Sequence, residues 1–356
     1  MQNRKGFWQN MRKKQTWVAS IFLIIVLGIV LTFYFFNARQ VKAVTSSFIM
    51  DTVVTQQVYG KNAEEAAEEV IQKLTEFEQK YSMYLETSEI YRLNEAAGRE
   101  AVALSPDVLS FLRRAAELSE SSGGVFDITI APLTTLWGIT TGNTKVPDQA
   151  AIERAKSLVD IHSLVFDEEN QTAYLQKSGQ AVDLGGIAKG FSCGIAEKIY
   201  EKYGVTGALL SIGGNLYAYK EKPDGTEFKV GVRDPRGEEN AYFASLNIQD
   251  TVVSTSGDYE RYFEVDGVRY HHILDPDTGY PSRSGLISVT IITPDGTLAE
   301  FWSTTLFIQG KEALEKYRYR DDFGFIAVDS DFNIYVSENL REKVMITNEN
   351  YLKIWD

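Results

Sequence analysis

Residues 182–190 (VDLGGIAKG) have the makings of an anion-binding turn. The run reads as the end of a strand, two glycines, and the start of a helix. A helix N-terminus presents unpaired backbone N–H groups and the positive end of its dipole, which suits phosphate oxygens. Gly185 and Gly186 allow a ligand close to the backbone, Lys189 adds a cation, and Asp183 adds an acceptor. The spacing is neither GxxxxGK[ST] nor GxGxxG, and a plain strand–helix turn is the alternative. His271-His272 precede Ile273-Leu274-Asp275-Pro276, and the whole chain holds three histidines. Imidazole is the side chain suited to take a proton near neutral pH, and on a strand only one of two adjacent residues can face a site. The other reading of this run is a polar entry to the DPDTG turn at 275–279. Glu300 and Thr304 stand four apart on a predicted helix, so they share a face. A carboxylate and a hydroxyl there suit a hard cation such as Mg²⁺, although a solvated Glu is the commoner use of such a position. Two further polar runs, 211–215 (SIGGN) and 254–261 (STSGDYER), follow apolar stretches and carry little weight alone.

These residues need elements to hold them. Residues 48–59 (FIMDTVVTQQVY) read as a β-branched strand. Ala63, Ala66, Ala67, Val70, Ile71, Leu74 and Phe77 recur at helical spacing and predict a helix over 61–79. Further helices are expected over 106–121, where Pro106 opens the first turn and a Ser-Gly-Gly stop follows, and near 148–158. The glycine turn follows an expected strand at 180–184. It leads into a helix over 187–203 with Ile187, Phe191, Ile195, Ile199 and Tyr203 on one face. Strands are expected at 207–212, 215–221, 227–233, 242–247, 262–265, 286–292, 323–328 and 332–336. Helices are expected at 297–308 and from 311. Helices and strands mix without a βαβ rhythm, so the fold class is α+β: one compact domain over 48–356 with a mixed β-sheet and packed helices.

The N-terminus is a different kind of sequence. Residues 17–36 form twenty uncharged positions, long enough to cross a bilayer as a helix at about 1.5 Å per residue. A basic tail, 1–16, precedes them, and the positive-inside rule keeps it cytoplasmic. A polar linker, 37–47, follows. This predicts a single-pass anchor with the catalytic domain extracytoplasmic; a cleaved signal peptide is the rival, though the apolar run is long for one. Seven of the 36 Lys and Arg lie in residues 1–42, which hold none of the 49 Asp and Glu. The body is therefore acidic, which argues against a nucleic-acid partner. The single cysteine, Cys193, excludes a disulfide framework and a Cys-rich metal site.

Taken in order and spacing, these runs resemble the ApbE family, the FAD:protein FMN transferases, over residues 47–340. The resemblance is carried by Met50-Asp51-Thr52, by Tyr84 with Ser88-Glu89-Ile90 and Arg92-Leu93-Asn94, and by Phe126-Asp127-Ile128-Thr129 leading to Pro132-Leu133 and Trp137-Gly138. It continues through VDLGGIAKG, SIGGN, Gly231-Val232-Arg233-Asp234-Pro235, STSGDYERYF, HHILDPDTG and Ala299-Glu300-Phe301-Trp302-Ser303-Thr304. It implies an Mg²⁺-dependent enzyme that splits FAD, attaches FMN by a phosphoester to a Thr or Ser of a target flavoprotein, and releases AMP. The acceptor would be a subunit or domain of a membrane redox system. By position, the resemblance implies that Met50, Tyr84, Asp127, Ile128 and Thr129 line the flavin and adenine pockets. It likewise implies that Asp183, Lys189 and Ile273 contact FAD, that the Gly186 carbonyl, Glu300 and Thr304 hold Mg²⁺, and that His272 acts on the acceptor hydroxyl, with His271 turned away. Two positions depart from the family pattern. Glu300 stands where Asp is usual, so its carboxylate is one methylene longer. Asp51 stands where Gly is usual, and its carboxylate is expected to face solvent. Two other outcomes fit the same resemblance: an FAD pyrophosphatase releasing FMN and AMP to water, and a non-catalytic flavin-binding protein.

Overall fold

The computed structural model describes residues 42–355 except 239, together with Leu27 and Gly28. The predicted anchor, 17–36, lies almost wholly outside the described residues, among which no helix is long and apolar enough to cross a membrane.

A nine-stranded sheet is the frame. In spatial order its strands are Lys42–Ile49, Thr52–Tyr59, Gly207–Ile212, Asn215–Lys220, Thr251–Gly257, Leu286–Thr293, Gly324–Asp329, Asn333–Val336 and Leu352–Lys353. All neighbours are antiparallel except the last pair, which is parallel. Leu286–Thr293 lies inside the sheet and is buried at all eight positions, consistent with its nearly unbroken apolar and β-branched run. One face of the sheet carries helices Ala63–Tyr81, Ala188–Lys202 and Gly296–Gln309; the other packs on a three-stranded sheet containing Phe228–Arg233 and Tyr242–Ile248. A helical lobe built on Glu89–Glu95 and Pro106–Ser121 joins the first layer through Phe77, Phe111 and Phe191. The fold is therefore α+β.

Several expected elements differ from the observed ones. The strand expected over 48–59 is a hairpin, Lys42–Ile49 and Thr52–Tyr59, whose first strand begins inside the stretch read as a polar linker. Its two-residue turn is Met50-Asp51, both at φ 54°. Such a turn needs positive φ twice, and without Gly or Asn the sequence did not signal it. The strand expected at 180–184 has no strand partner. Instead the Asn94 side chain takes both roles of a neighbouring strand: Nδ2 donates to Val182 O at 2.9 Å and Oδ1 accepts from Val182 N at 2.7 Å. Asp183 N then donates to Ile128 O.

On the predicted face of helix Ala188–Lys202, Ile187 and Ile199 are buried and Phe191, Ile195 and Tyr203 pack half-buried against the core; a second side, Gly190, Cys193, Ala196 and Tyr200, is buried as well. The reason is the approach of helix Gly296–Gln309. A Cβ on Gly190 would lie 2.0 Å from Gly296 O, and one on Gly296 would lie 2.3 Å from Gly190 O. Only hydrogen at both Cα atoms permits this crossing, and it sets the small-residue side of the helix inward. The helices Glu89–Glu95 and Ala131–Trp137 have no counterpart among the expected elements, and the strand leading into 254–261 runs on through the first half of that run, as Thr251–Gly257.

Candidate active site

The glycine turn, the hairpin turn at Met50-Asp51 and the start of helix Gly296–Gln309 meet around one cavity of about 800 Å³. Met50, Tyr84, Asp127, Asp183, Gly186, Lys189, His272, Ile273, Glu300 and Thr304 all line it. Ile128 and Thr129 do not. The 3₁₀ turn Ile128–Ile130 sends Ile128 into the core, and the Thr129 hydroxyl is spent inside the protein. Thr129 Oγ1 and N both donate to Asp127 Oδ1 at 2.7 Å, and Oγ1 accepts from Asp160 N at 2.8 Å. Thr129 thus supports Asp127, the cavity-lining member of the trio. Burial pushes the Asp127 carboxyl up, and the Thr129 hydrogen bonds partly offset this.

Asp183 turns the chain into the site. Its Oδ1 accepts from Gly185 N at 2.8 Å and its Oδ2 from Thr134 Oγ1 at 3.1 Å. Lys189 closes the turn from the other side. Its Nζ donates to Gly185 O at 3.0 Å and pairs with Glu300 Oε1 at 2.6 Å. The second oxygen of Glu300 accepts from Gly190 N at 2.7 Å, an N–H in the first turn of its helix. Glu300 is 4% exposed, so both its oxygens are satisfied as a buried carboxylate requires. This answers what the longer side chain does: its carboxylate crosses the helix interface to the Gly190 N–H and the Lys189 ammonium.

One helical turn on, Thr304 Oγ1 lies 3.2 Å from Ser256 Oγ, which is 2.9 Å from Ser303 Oγ. Ser254 Oγ donates to Asn215 Oδ1 at 3.0 Å. Asn215 Nδ2 is buried with no protein partner, and Asn215 lines the cavity. A buried unpaired amide donor is costly, so this wall is suited to an acceptor atom on a ligand. The SIGGN turn places it. Gly213 and Gly214 sit at φ 57° and 93°, and Ile212 pairs with Asn215 across the turn. The glycines signalled the turn, but the role of Asn215 depends on Ser254 and the cavity, which no local pattern reveals.

The donor set is that of a hard divalent cation. Glu300 and Thr304 offer oxygen only and stand four apart on one helix, with no cysteine in the lining of the cavity. The Lys189 ammonium already holds a positive charge against Glu300. Among the described residues no three His, Cys, Asp or Glu side chains cluster as a self-sufficient metal cage. Mg²⁺, which keeps waters and substrate phosphates as ligands, needs no such cage. The residues fit Mg²⁺ provided Lys189 yields its place.

The two histidines divide, one at the end of strand Val268–His271 and the other in the bend that follows it. His271 is buried against Phe307; its Nε2 lies 3.0 Å from Ser282 O and its Nδ1 accepts from Ile273 N at 3.3 Å. Both ring nitrogens are used, so its role is packing. His272 lines the cavity. Its Nδ1 lies 3.3 Å from Arg261 O, and its backbone N–H donates to the same oxygen at 3.0 Å. A carbonyl only accepts, so the proton sits on Nδ1 and Nε2 is the free base. Burial pushes its pKa down to about 3, and His271 and nearby cations add to the effect. At neutral pH the imidazole is uncharged, so Nε2 carries a lone pair.

Asp51 is exposed, as expected. It is nonetheless paired: Oδ2 lies 2.9 Å from Arg261 Nη1, and the Asp51 carbonyl accepts from Arg261 Nη2 at 2.9 Å.

The sequence profile of the ApbE family matches residues 50–324. A FAD:protein FMN transferase of Klebsiella pneumoniae (strain 342) is 33% identical over 307 residues, covering 86% of this chain and 95% of the relative. A FAD:protein FMN transferase of Treponema pallidum (strain Nichols) is 33% identical over 293 residues, covering 78% and 81%. Among solved structures, the ApbE protein of Thermotoga maritima superposes with a TM-score of 0.78 at 32% identity, covering 85% of this chain and 99% of that one.

Proposed function

The chain belongs to the ApbE family, and on that footing we propose that it transfers FMN from FAD to a Thr or Ser hydroxyl of a target flavoprotein. The single observation that carries the reading is His272. It is a neutral imidazole with Nε2 free, in the wall of the cavity that also holds Lys189 and Glu300.

The chemistry follows from these positions. The acceptor hydroxyl gives its proton to His272 Nε2 as its oxygen forms a bond to the FMN phosphorus. The P–O bond to the bridging oxygen breaks, and AMP leaves with that oxygen. Lys189 stabilises phosphate charge, while the Ile187, Ala188 and Gly190 N–H groups at the start of its helix are spent on Leu184 O and Glu300. Asn215 Nδ2 donates to an FAD acceptor atom. Met50, Tyr84 and Asp127 bound the flavin and adenine, and Ile273 packs against FAD. Glu300, Thr304 and the Gly186 carbonyl would hold Mg²⁺, which would supply charge neutralisation on the pyrophosphate.

The same reading includes a single-pass anchor at 17–36, an extracytoplasmic catalytic domain over 48–356, and an acceptor in a membrane redox system. Protease accessibility of the domain in intact cells and in inverted vesicles tests the topology. The activity is tested by incubating the full chain with FAD, Mg²⁺ and membrane flavoproteins from cells lacking it, then seeking an FMN-sized adduct on Thr or Ser by mass spectrometry. His272→Ala should lower transfer by roughly 10²–10⁴-fold, the usual worth of a general base. Full activity in that variant refutes the role. Free FMN and AMP formed at the same rate with and without acceptor would instead make the chain a pyrophosphatase. Intact FAD under both conditions would make it a binding protein.

A further inference from the structure

Asp51 sits at φ 54° in the left-handed region, beside Met50 in the same conformation. Glycine would adopt this turn without strain, whereas an L side chain there costs roughly 1 kcal/mol. The carboxylate placed at that cost faces one partner. Arg261 reaches it with two guanidinium nitrogens, Nη1 to Oδ2 and Nη2 to the carbonyl, each at 2.9 Å. The backbone oxygen of that same Arg261 receives both the His272 N–H and the His272 imidazole Nδ1. Asp51, Arg261 and His272 all line the cavity, although Asp51 and Arg261 are 210 residues apart in sequence. Arg261 stands just before Tyr262–Val265, which pairs only with Val268–His271 among the described strands. This small hairpin is outside the main sheet and packs on Trp137 through Phe263 and Tyr270; the Asp51 pair is what ties its Arg261 end to the Met50-Asp51 turn.

We propose that Asp51 is a positioning residue for His272: by clamping Arg261 to the Met50-Asp51 turn, it fixes the carbonyl that keeps the proton on Nδ1 and leaves Nε2 free as the base. The proposal rests on the reading of His272 as the base, but the tautomer it predicts is measurable without any reaction. With the clamp gone, the Arg261–His272 pair is no longer tied to the Met50-Asp51 turn, and the imidazole, held by one 3.3 Å contact, samples the other tautomer and other rotations, so that less of the population has Nε2 available. The ion pair is partly exposed, so its loss is worth up to ~1 kcal/mol, or about a fivefold change in the ratio of the two tautomers.

The test uses the full chain in detergent with ¹⁵N-labelled histidine. Three histidines give few signals, and His272→Ala assigns the one in question. In the native protein His272 is expected as a single tautomer protonated at Nδ1. In Asp51→Gly and in Arg261→Met the second tautomer should appear. The Asp51→Gly/Arg261→Met pair should show no more of it than either single change. Asp51→Gly should keep or raise the melting temperature, because glycine relieves the turn, and should lower kcat for FMN transfer only in proportion to the Nδ1-protonated fraction lost, less than about twofold, with KM for FAD unchanged. A purely structural carboxylate would lower the melting temperature and leave the tautomer alone. The proposal is overturned if native His272 carries its proton on Nε2, or if the tautomer is the same in Asp51→Gly and the native protein. It is also overturned if Asp51→Gly changes KM for FAD with kcat intact, which would make the pair a substrate contact. Absence of FMN transfer by the native protein would sink the base reading, while the tautomer ratio would still report on the clamp.

Discussion

Gly190→Ala sets two known effects against each other on one helix. Gly190 lies inside helix Ala188–Lys202, where alanine is favoured over glycine by about 1 kcal/mol in propensity. Propensity alone therefore predicts stabilisation. The packing predicts the reverse. The new Cβ would stand 2.0 Å from Gly296 O and 2.6 Å from its carbonyl carbon, both backbone atoms that no rotamer change can move. The two helices must part by well over an ångström, a strain of about 1–3 kcal/mol. That movement also breaks the 2.7 Å hydrogen bond from Gly190 N to the buried Glu300 carboxylate, worth about 1.5–3 kcal/mol. Subtracting the propensity gain leaves a net loss near 3 kcal/mol, or roughly 5–10 °C in melting temperature for a domain of this size. Because Lys189 and Glu300 sit on the separated helices, FAD binding should weaken as well. Gly194→Ala is the internal control: same helix, same propensity gain, and nothing within 4 Å of the added Cβ. It should raise stability by up to ~1 kcal/mol. The measurement is urea and thermal unfolding of the two variants beside the parent, followed by FAD titration. If Gly190→Ala is as stable as Gly194→Ala, the helix crossing does not constrain the site as argued.

Further outcomes follow from the same structure. Thr129→Val removes one donor to Asp127 and the acceptor of Asp160 N, so it should cost about 1–3 kcal/mol in urea unfolding despite conserving shape. Asn215→Ala removes the unpaired Nδ2 and also the acceptor of the buried Ser254 hydroxyl; FAD affinity by titration should fall severalfold and stability should drop by about 1 kcal/mol. Stability should decline as pH drops below about 6.5, because unfolded histidine then binds a proton that folded His272 refuses until about pH 3. The slope from this group is up to about 1.4 kcal/mol per pH unit, and His271, also lowered by burial, adds to it. Asp127, raised by burial, acts in the opposite sense nearer pH 4. Urea unfolding at pH 7 and pH 5 should show the loss, and His272→Ala should flatten it.

Motifs with their own local physics were legible in the chain. Glycine pairs signalled the turns at 185–186 and 213–214, alternation and β-branching marked most sheet strands, and the four-residue spacing put Glu300 and Thr304 on one face. Read as a strand, the pair allowed only one of His271 and His272 to reach a site, without saying which. That choice came from the Ser282 carbonyl and the Phe307 ring, which capture His271 from distant parts of the chain. Tertiary structure likewise decided that the Asn94 amide replaces a strand beside Val182, that Thr129 serves Asp127 rather than the cavity, and that two helices touch through Gly190 and Gly296. In each case the deciding partner is a buried polar group or a backbone contact remote in sequence. Local pattern reports which face an element buries; it carries no record of which distant donor or acceptor will meet it there.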